Sequence, residues 1–599
     1  MSNTTNALRL TFLGFLLLAL PSTGTASATL DDPVGVNLSH IEYYTGGFAT
    51  ADLAKRGQEW ILPGQNATLA PTNPKGWPLE PSNSRIVISG YQRFQRRGLN
   101  ADDVMVLRFH EGNGAAQALT DVSAFGLGIT EVASNHAADG VVTKEYAVIG
   151  AEGAITLRLD TLNSTDSAGS GDSFDPSIEL WIDPIHMRAF DQDPKKIFHD
   201  FYVQRLSDLT PGHLRTSSTW SRALYASSSL LDGGSGANRN AYDPIAQPRL
   251  TPSAPRYSGA LPVPWEAHAW IANEVGTDLW VGIPFTYYAQ GTDPRRDAAE
   301  AYIKDMARTL RDELSPELTC IVEFSNEMWN SNFGTYSVLN ALEGPMRPEL
   351  MARFVLDAFT WWSEEWNDAR VEFVCMGFGG DSNWVTAQTD VLKASGFVDA
   401  VGCGGYYFPR ASESDLWGED NPALCASFDN QDPNLELQAA ASMFLTINNN
   451  VRFDAGRLQP GTTHALRIHG DVALDLEEEL GRTIGLYVYE GGPSLLSNCQ
   501  KLRTLYGEFQ QNSRFSFLLL YYEMLRLIDG FRTGPESLEL PLRKHVSRFS
   551  YFAFCQPQSP QYGDWLLLTD LYAGIPGLAE VDTQVQWKYQ AIRLFNALH

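Results

Sequence analysis

From Phe198 to the C-terminus the chain repeats one pattern: a short apolar run, then a longer stretch with helical periodicity. HLRTS precedes WEAHAWIANEVG, DLWVGIPF precedes DAAEAYIKDMARTLRDEL, CIVEFSNE precedes PELMARFVLDAFTWWSEEW, and VEFVCMGFGG precedes VTAQTDVLKASG. DAVGCGGYYF with DVALDLEEELG, GLYVYEGG with LRTLYGEF and FLLLYYEMLRLI, and RFSYFAF with VQWKYQAIRLFNAL bring the count to seven units. Strands of this kind, apolar on both faces and alternating with helices, belong to parallel sheets covered by helices. An eighth unit closes such a sheet into a (β/α)8 barrel. VGVNL with the helix-like ATADLAKRGQEW, near the N-terminus, supplies it. A doubly wound open sheet is the alternative, but no G-x-G-x-x-G follows a strand and no P-loop occurs, so its nucleotide-binding versions lack support.

The texture differs from about Arg85 to Pro184. RIVISG, VMVLRFHEG, FGLGITEVA, KEYAVIG, AITLRLDTL and SIELWIDP are short β-like runs punctuated by Gly, Asn, Asp and Ser, the spacing of a sandwich. The expected organisation is a leader over 1–28, a first barrel strand and helix over 29–84, a β-sandwich-like insert over 85–184, and the rest of the barrel over 185–599. Alternate residues of the insert's strands, as in VMVLRF, are expected to be buried.

Arg9 followed by LTFLGFLLLAL and PSTGTASA has the layout of a secretory leader ending in an A-x-A site at Ala28. No later segment is long and apolar enough to span a bilayer. The expected location is therefore outside the cell, in a periplasm or at a cell surface. A formal net charge of -27 argues against nucleic acid, because phosphate recognition needs clustered Lys and Arg. Cys320, Cys375, Cys403 and Cys555 lie in apolar runs and read as small core residues, whereas Cys425 and Cys499 lie in loop-like stretches and could pair. Neither C-x-x-C nor H-E-x-x-H is present, so the reading calls for no metal and no cofactor. Asn37, Asn66 and Asn163 head N-x-S/T sequons. Nothing in the sequence bears on oligomeric state.

Two carboxylates stand out against this framework. IVEFSNEMWN puts Asn326 and Glu327 at the end of the fourth barrel strand, and GLYVYEGG puts Glu490 at the end of the seventh. The C-terminal ends of barrel strands build the active site of this fold. Two carboxyl groups there can flank one glycosidic bond, and in the retaining mechanism they lie about 5–5.5 Å apart. By contrast Asn273-Glu274, inside a helical pattern, reads as a solvated face.

These residues resemble those of the clan A glycoside hydrolases, which include the family 5 cellulases and mannanases. The wider wording, GVNL, PVPWEAHAWIANEVGTDLW, VEFSNEMWN, VYEGG and YGDWLLL with WKYQAI, is closer to secreted cellulase-like proteins with an N-terminal β-sandwich insert. The resemblance implies that Glu327 is the acid/base and Glu490 the nucleophile, with Asn326 binding a sugar hydroxyl. It implies that Arg215 holds the nucleophile ionised and that Tyr406 stands near it, a role for which Tyr407 competes. Trp329 either stacks on sugar or packs behind Glu327. Asn37 and Glu266 fall in matching motifs with packing or capping roles. The chain departs from the pattern in three places. FAFCQPQ lacks the platform tryptophan of the eighth strand, LRTSSTW alters the polar residues after Arg215, and GFGGDS lacks the histidine of strand five. The expected function is a secreted retaining hydrolase of β-glycosidic bonds with a carbohydrate substrate. The alternative is a carbohydrate-binding or adhesion protein on the same barrel; an esterase is disfavoured because no G-x-S-x-G elbow occurs.

Overall fold

The computed structural model describes residues 33–38, 49–56, 85–90, 104–110, 119–125, 129–148, 154–161, 178–216, 220, 263–288, 293–331, 334–345, 347–407, 462–493, 544–554, 567–568 and 587–598. Its strands in chain order are β1 (Gly35–Asn37), then β2 (Arg85–Gly90), β3 (Val104–His110), β4 (Leu119–Phe125), β5 (Ile129–His136), β6 (Val141–Val148), β7 (Ala154–Thr161) and β8 (Ile178–Trp181). They continue with β9 (His213–Arg215), β10 (Asp278–Ile283), β11 (Cys320–Phe324), β12 (Val371–Met376), β13 (Ala400–Tyr407), β14 (Gly485–Pro493) and β15 (Arg548–Tyr551). β1 and β9 to β15 close into an eight-stranded parallel barrel, β1 pairing with β9 on one side and β15 on the other. The protein is a (β/α)8 barrel, and β2 to β8 form an inserted pair of sheets after the first barrel strand.

The helices are α1 (Pro184–Gln192), α2 (Asp200–Ser207), α3 (Trp265–Val275), α4 (Pro294–Glu313), α5 (Gly334–Leu342), α6 (Pro348–Glu365), α7 (Asn383–Leu392), α8 (Thr462–Leu480) and α9 (Trp587–Leu598). Local chemistry sets their limits. Asp293 caps α4 by accepting from the Arg295 N–H, with Pro294 in the first turn, and Gly276 ends α3 at φ 74°. One expectation fails here. ATADLAKRGQEW was read as the first barrel helix, but Leu53–Arg56 is a single 3-10 turn and the residues after it lie outside the described ones. The helix that precedes β9 is α2, reached only after the insert. LRTLYGEF and FLLLYYEMLRLI also lie outside the described residues.

Side chains alternate across the barrel wall. Leu279, Val322, Phe373, Cys375 and Val401 face outward and pack under α3 to α8, whereas Trp280, Ile321, Val374, Met376, Tyr487 and Tyr489 fill the lumen. Gly35 has no side chain for a direct reason: a Cβ there would lie 2.4 Å from the buried ring of His213. Cys320, Cys375 and Cys403 are buried free thiols, as expected of small core residues. Cys425, Cys499 and Cys555 lie outside the described residues.

The insert consists of a three-stranded sheet, β2-β7-β4, and a four-stranded sheet, β5-β6-β3-β8, both antiparallel. The two share one core, and Tyr146 of the larger sheet accepts from the Ala124 N–H on the edge of the smaller (3.1 Å). FGLGITEVA is not one strand: it spans the break between β4 and β5. Nor does β3 alternate, since Met105, Val106, Leu107 and Phe109 are all buried. α1 lies over its second face, joined by the Arg108–Asp191 pair (2.5 Å).

Candidate active site at the carboxyl end of the barrel

The site is organised around one buried guanidinium. Arg215, the last residue of β9, is wholly buried, and its five N–H groups find five contacts. Nη1 donates to Asn37 Oδ1 (2.8 Å) and Glu490 Oε1 (2.7 Å), and Nη2 donates to Glu323 Oε1 (2.6 Å) and Asn326 Oδ1 (2.8 Å). Nε reaches Glu323 Oε2 (3.3 Å), which also accepts from Trp280 Nε1 (2.9 Å). A buried ion is tolerable only when charge and hydrogen bonds are both matched. Here one arginine joins strands β1, β9, β11 and β14. Burial alone would lower its pKa, but Glu323 and Glu490 outweigh that and raise it.

Glu490 faces this arginine because β14 carries a bulge. Tyr487 points into the lumen and Val488 outward, so strict alternation would send Tyr489 in and Glu490 out. Instead Cys403 pairs with Val488 and Gly404 with Glu490, and on the other side the register also slips between Val488 and Gly491. The extra residue is Tyr489. A bulge re-aims the side chain that follows it, so Tyr489 and Glu490 both point into the barrel mouth.

Glu327 is placed by a different local device. β11 ends at Phe324, and the chain then turns through left-handed backbone at Ser325 (φ 58°) and Glu327 (φ 43°). Neither residue is glycine, so each position costs on the order of 1 kcal/mol. The turn is held by Ser325 Oγ against Thr335 Oγ1 (2.9 Å) and by the Asn330 N–H donating to the Glu327 carbonyl (2.8 Å). It sets the Glu327 carboxyl between two donors: Tyr489 Oη to Oε1 (2.9 Å) and Asn330 Nδ2 to Oε2 (2.7 Å). Burial and then the negative charge of Glu490 push the Glu327 pKa up, against the opposing pull of Asn330, Tyr489 and Arg215, to about 7.

Of the residues singled out in the sequence, the fold brings Asn37, Arg215, Asn326, Glu327 and Glu490 into this one network. Asn37 also donates to the backbone oxygens of Tyr489 (3.0 Å) and Tyr551 (3.4 Å), tying three strands together. Its amide is fully buried, so the sequon it heads has no room for a glycan. Trp329 is half-buried and packs on the Tyr489 ring (6.1 Å between centroids). Tyr406 lies opposite Gly492 on β13; its side chain, and that of Tyr407, are outside the described residues. Glu266 lies in the first turn of α3. Asn273-Glu274 is not a solvated face: Asn273 donates to the Glu313 carbonyl and accepts from Ser315 N–H, and Glu274 pairs with Lys196 (3.3 Å).

Sequence reading missed Glu323, Trp280, Tyr489 and Asn330. The first was visible as an acid inside an apolar strand, four residues before Glu327. Tyr489 was hidden by the bulge, which no local pattern announces. Among the described residues no cluster of three His, Cys, Asp or Glu side chains is arranged to hold a metal ion, and no helix is long and apolar enough to cross a membrane.

No family model matches the chain, and no curated protein matches it. Among solved structures, it is similar to the Clostridium thermocellum endo-1,4-β-D-xylanase CBM22-1-GH10 modules complexed with xylohexaose, at 11% identity over 92% of this chain and 97% of that one, TM-score 0.37. It is similar to an arabinose-bound GH51 α-L-arabinofuranosidase at 11% identity over 92% of this chain and 79% of that one, TM-score 0.35. A modular family 26 endo-β-1,4-mannanase from Cellulomonas fimi follows at 10% identity over 65% of each chain, TM-score 0.31. Likeness this distant assigns no activity to the chain.

Proposed function

We propose that this protein is a retaining glycoside hydrolase of the clan A type, acting on β-glycosidic bonds of a carbohydrate substrate. The observation that carries the reading is the asymmetry of two mutually felt carboxyl groups. Glu490 accepts a charge-assisted hydrogen bond from Arg215, whereas Glu327 receives no cationic hydrogen bond in this network and has a pKa raised to about 7. A carboxyl whose proton is held toward neutral pH, beside a second carboxyl bonded to a guanidinium, suits a division into acid and nucleophile.

In the first step a Glu490 oxygen attacks the anomeric carbon, the bond to the leaving oxygen breaks, and the Glu327 proton passes to that oxygen. In the second step Glu327, now a carboxylate, takes a proton from water. The water oxygen bonds to the anomeric carbon and Glu490 is released. Asn326 and Asn37, both bonded to Arg215, hold the guanidinium in place for this, and in this reading the Asn326 amide N–H group donates to a sugar hydroxyl.

The leader-like N-terminus adds the proposal that the enzyme works outside the cytoplasm, which sequencing the mature N-terminus would test. Activity is tested by screening the purified protein on a panel of β-linked polysaccharides and aryl glycosides, with the anomer of the first product read by NMR. Release of sugar with retained configuration is expected. Inversion overturns the assignment of roles, and binding without turnover favours a carbohydrate-binding protein on the same fold.

A further inference from the structure

Strand five departs from the clan pattern at GFGGDS, and the structure gives that segment a use. Phe378 lies two residues past β12, on the same rim as Glu327, and is 36% exposed. It is the one Phe, Tyr or Trp side chain in the exposed class among the described residues. It does not stand alone. Its ring lies 6.4 Å from that of Trp329, which in turn lies 6.2 Å from Trp384 in the first turn of α7 and 6.1 Å from Tyr489. Tyr489 is the residue whose hydroxyl donates to Glu327 (2.9 Å). An aromatic row thus runs from the carboxyl proposed as the acid outward along the β11–β12 rim.

The row is built rigidly. Asp381 N–H donates to the Phe378 carbonyl (3.0 Å), closing a tight turn, and Asp381 Oδ1 accepts from Asn383 N–H (2.9 Å). The two glycines beside Phe378 press the turn on α8. A Cβ on Gly377 would lie 2.4 Å from His469, and one on Gly379 would lie 3.3 Å from Ala465. A turn fixed in this way carries the Phe378 ring at little further backbone entropic cost on binding.

We propose that Phe378, Trp329 and Trp384 form the platform on which the departing part of the substrate stacks, and that its occupant is a β-linked pyranose presenting an apolar C–H face. This rests on the glycosidase reading. The leaving oxygen takes its proton from Glu327, so the departing sugar lies on the Glu327 side of the cleaved bond, and that is the side the row lines. Pyranoses with equatorial hydroxyls carry their C–H bonds on the two ring faces, which suits aromatic rings.

The test compares wild type with Phe378→Ala and Phe378→Trp. On the β-linked oligosaccharide that wild type cleaves best, Phe378→Ala should lose about tenfold more kcat/KM than on a nitrophenyl glycoside of the same sugar. Phe378→Trp should restore most of that ratio. Equal losses on both substrates, or none, overturn the platform. A titration of tryptophan fluorescence with β-1,4-linked gluco-, manno- and xylo-oligosaccharides separates this from the glycosidase reading. Binding without turnover that weakens about tenfold in Phe378→Ala keeps the platform and sinks the enzyme. Wild type binding none of them overturns the platform.

Discussion

Among the described residues an arginine stands at each end of the barrel, Arg215 and Arg548, and their surroundings differ in the quantity that matters for chemistry. At the N-terminal end Arg548 reaches Asp278 (3.1 Å), Glu372 (3.4 Å) and Tyr487, and Tyr487 Oη donates to Glu372 (2.7 Å). That network borders a polar cavity of about 730 Å³ that also touches Asp399 and Arg482. At the C-terminal end Arg215 is sealed from water and faces Glu323 and Glu490, with Glu327 close enough to feel Glu490. Two partly exposed carboxylates beside an arginine that lines a cavity leave a modest imbalance that solvent screens. Three carboxyls around a dry arginine leave an excess of negative charge, and the pKa of Glu327, the one with no cationic hydrogen bond in the network, is pushed up to about 7. The same residue types therefore give a network open to a cavity below and, above, the two carboxyls proposed as acid and nucleophile.

Removing the proposed nucleophile at the upper end should have the largest effect. Glu490→Ala is expected to lose at least about 10⁴-fold in kcat, because no covalent intermediate can form. Azide or formate should restore part of the rate with an inverted product. Glu327→Ala should differ, keeping the first step on substrates with good leaving groups, with azide rescue giving retained configuration. If the two variants respond alike, the division of roles between them is wrong.

Next come the arginines themselves. Arg215→Met leaves two buried carboxylates uncompensated and should cost about 3–5 kcal/mol of stability together with the activity. Arg548→Met, beside water, should cost about 1–2 kcal/mol and leave kcat/KM within a few-fold of wild type. Urea unfolding and kinetics on both variants read this directly. Equal losses at the two ends would dissolve the contrast between them.

The pH dependence sharpens it further. With Glu327 at about 7, kcat/KM should fall as pH rises through neutrality. Stability has a definite sign too. The folded state holds this proton above the pH at which the unfolded chain releases it, so the group's contribution is full below about pH 4.5 and is lost up to about pH 7. Glu327→Gln should therefore raise the melting temperature more at pH 8 than at pH 4.5. The gain at pH 8 is expected to be about 1–2 kcal/mol, since the carboxyl keeps some contact with solvent. A gain independent of pH would mean that the proton is not held there.

Tyr489→Phe should have the smallest effect. It removes a donor to the Glu327 carboxylate without removing charge, so the alkaline limb should move upward and kcat/KM change by only a few-fold. A downward shift would show that the hydroxyl favours the protonated form.

All eight barrel strands were legible in the sequence, because a parallel strand buried on both faces must be an apolar run, whatever surrounds it. The insert's two-sheet character was legible from its turn residues. ATADLAKRGQEW has helical periodicity, yet its described part ends in a single 3-10 turn at Leu53–Arg56, and the described helix before β9 is α2. Within the site, Glu327 and Glu490 could be picked out by strand order. Glu323 was passed over, although a carboxylate in a buried strand demands a partner and Arg215 was already in view.

By itself, then, the sequence determined the periodic pattern, the number of barrel strands and the rim on which the acids lie, since these follow from local hydrophobicity and spacing. Tertiary structure alone decided which way the side chains point and which proton is kept. The bulge at Tyr489 depends on hydrogen bonds to β13 and β15, the left-handed turn at Glu327 on Thr335 and Asn330, and the arginine network on four strands far apart in the chain. Charge balance in a dry cavity is a property of everything that lines it, and no single segment of the chain contains it.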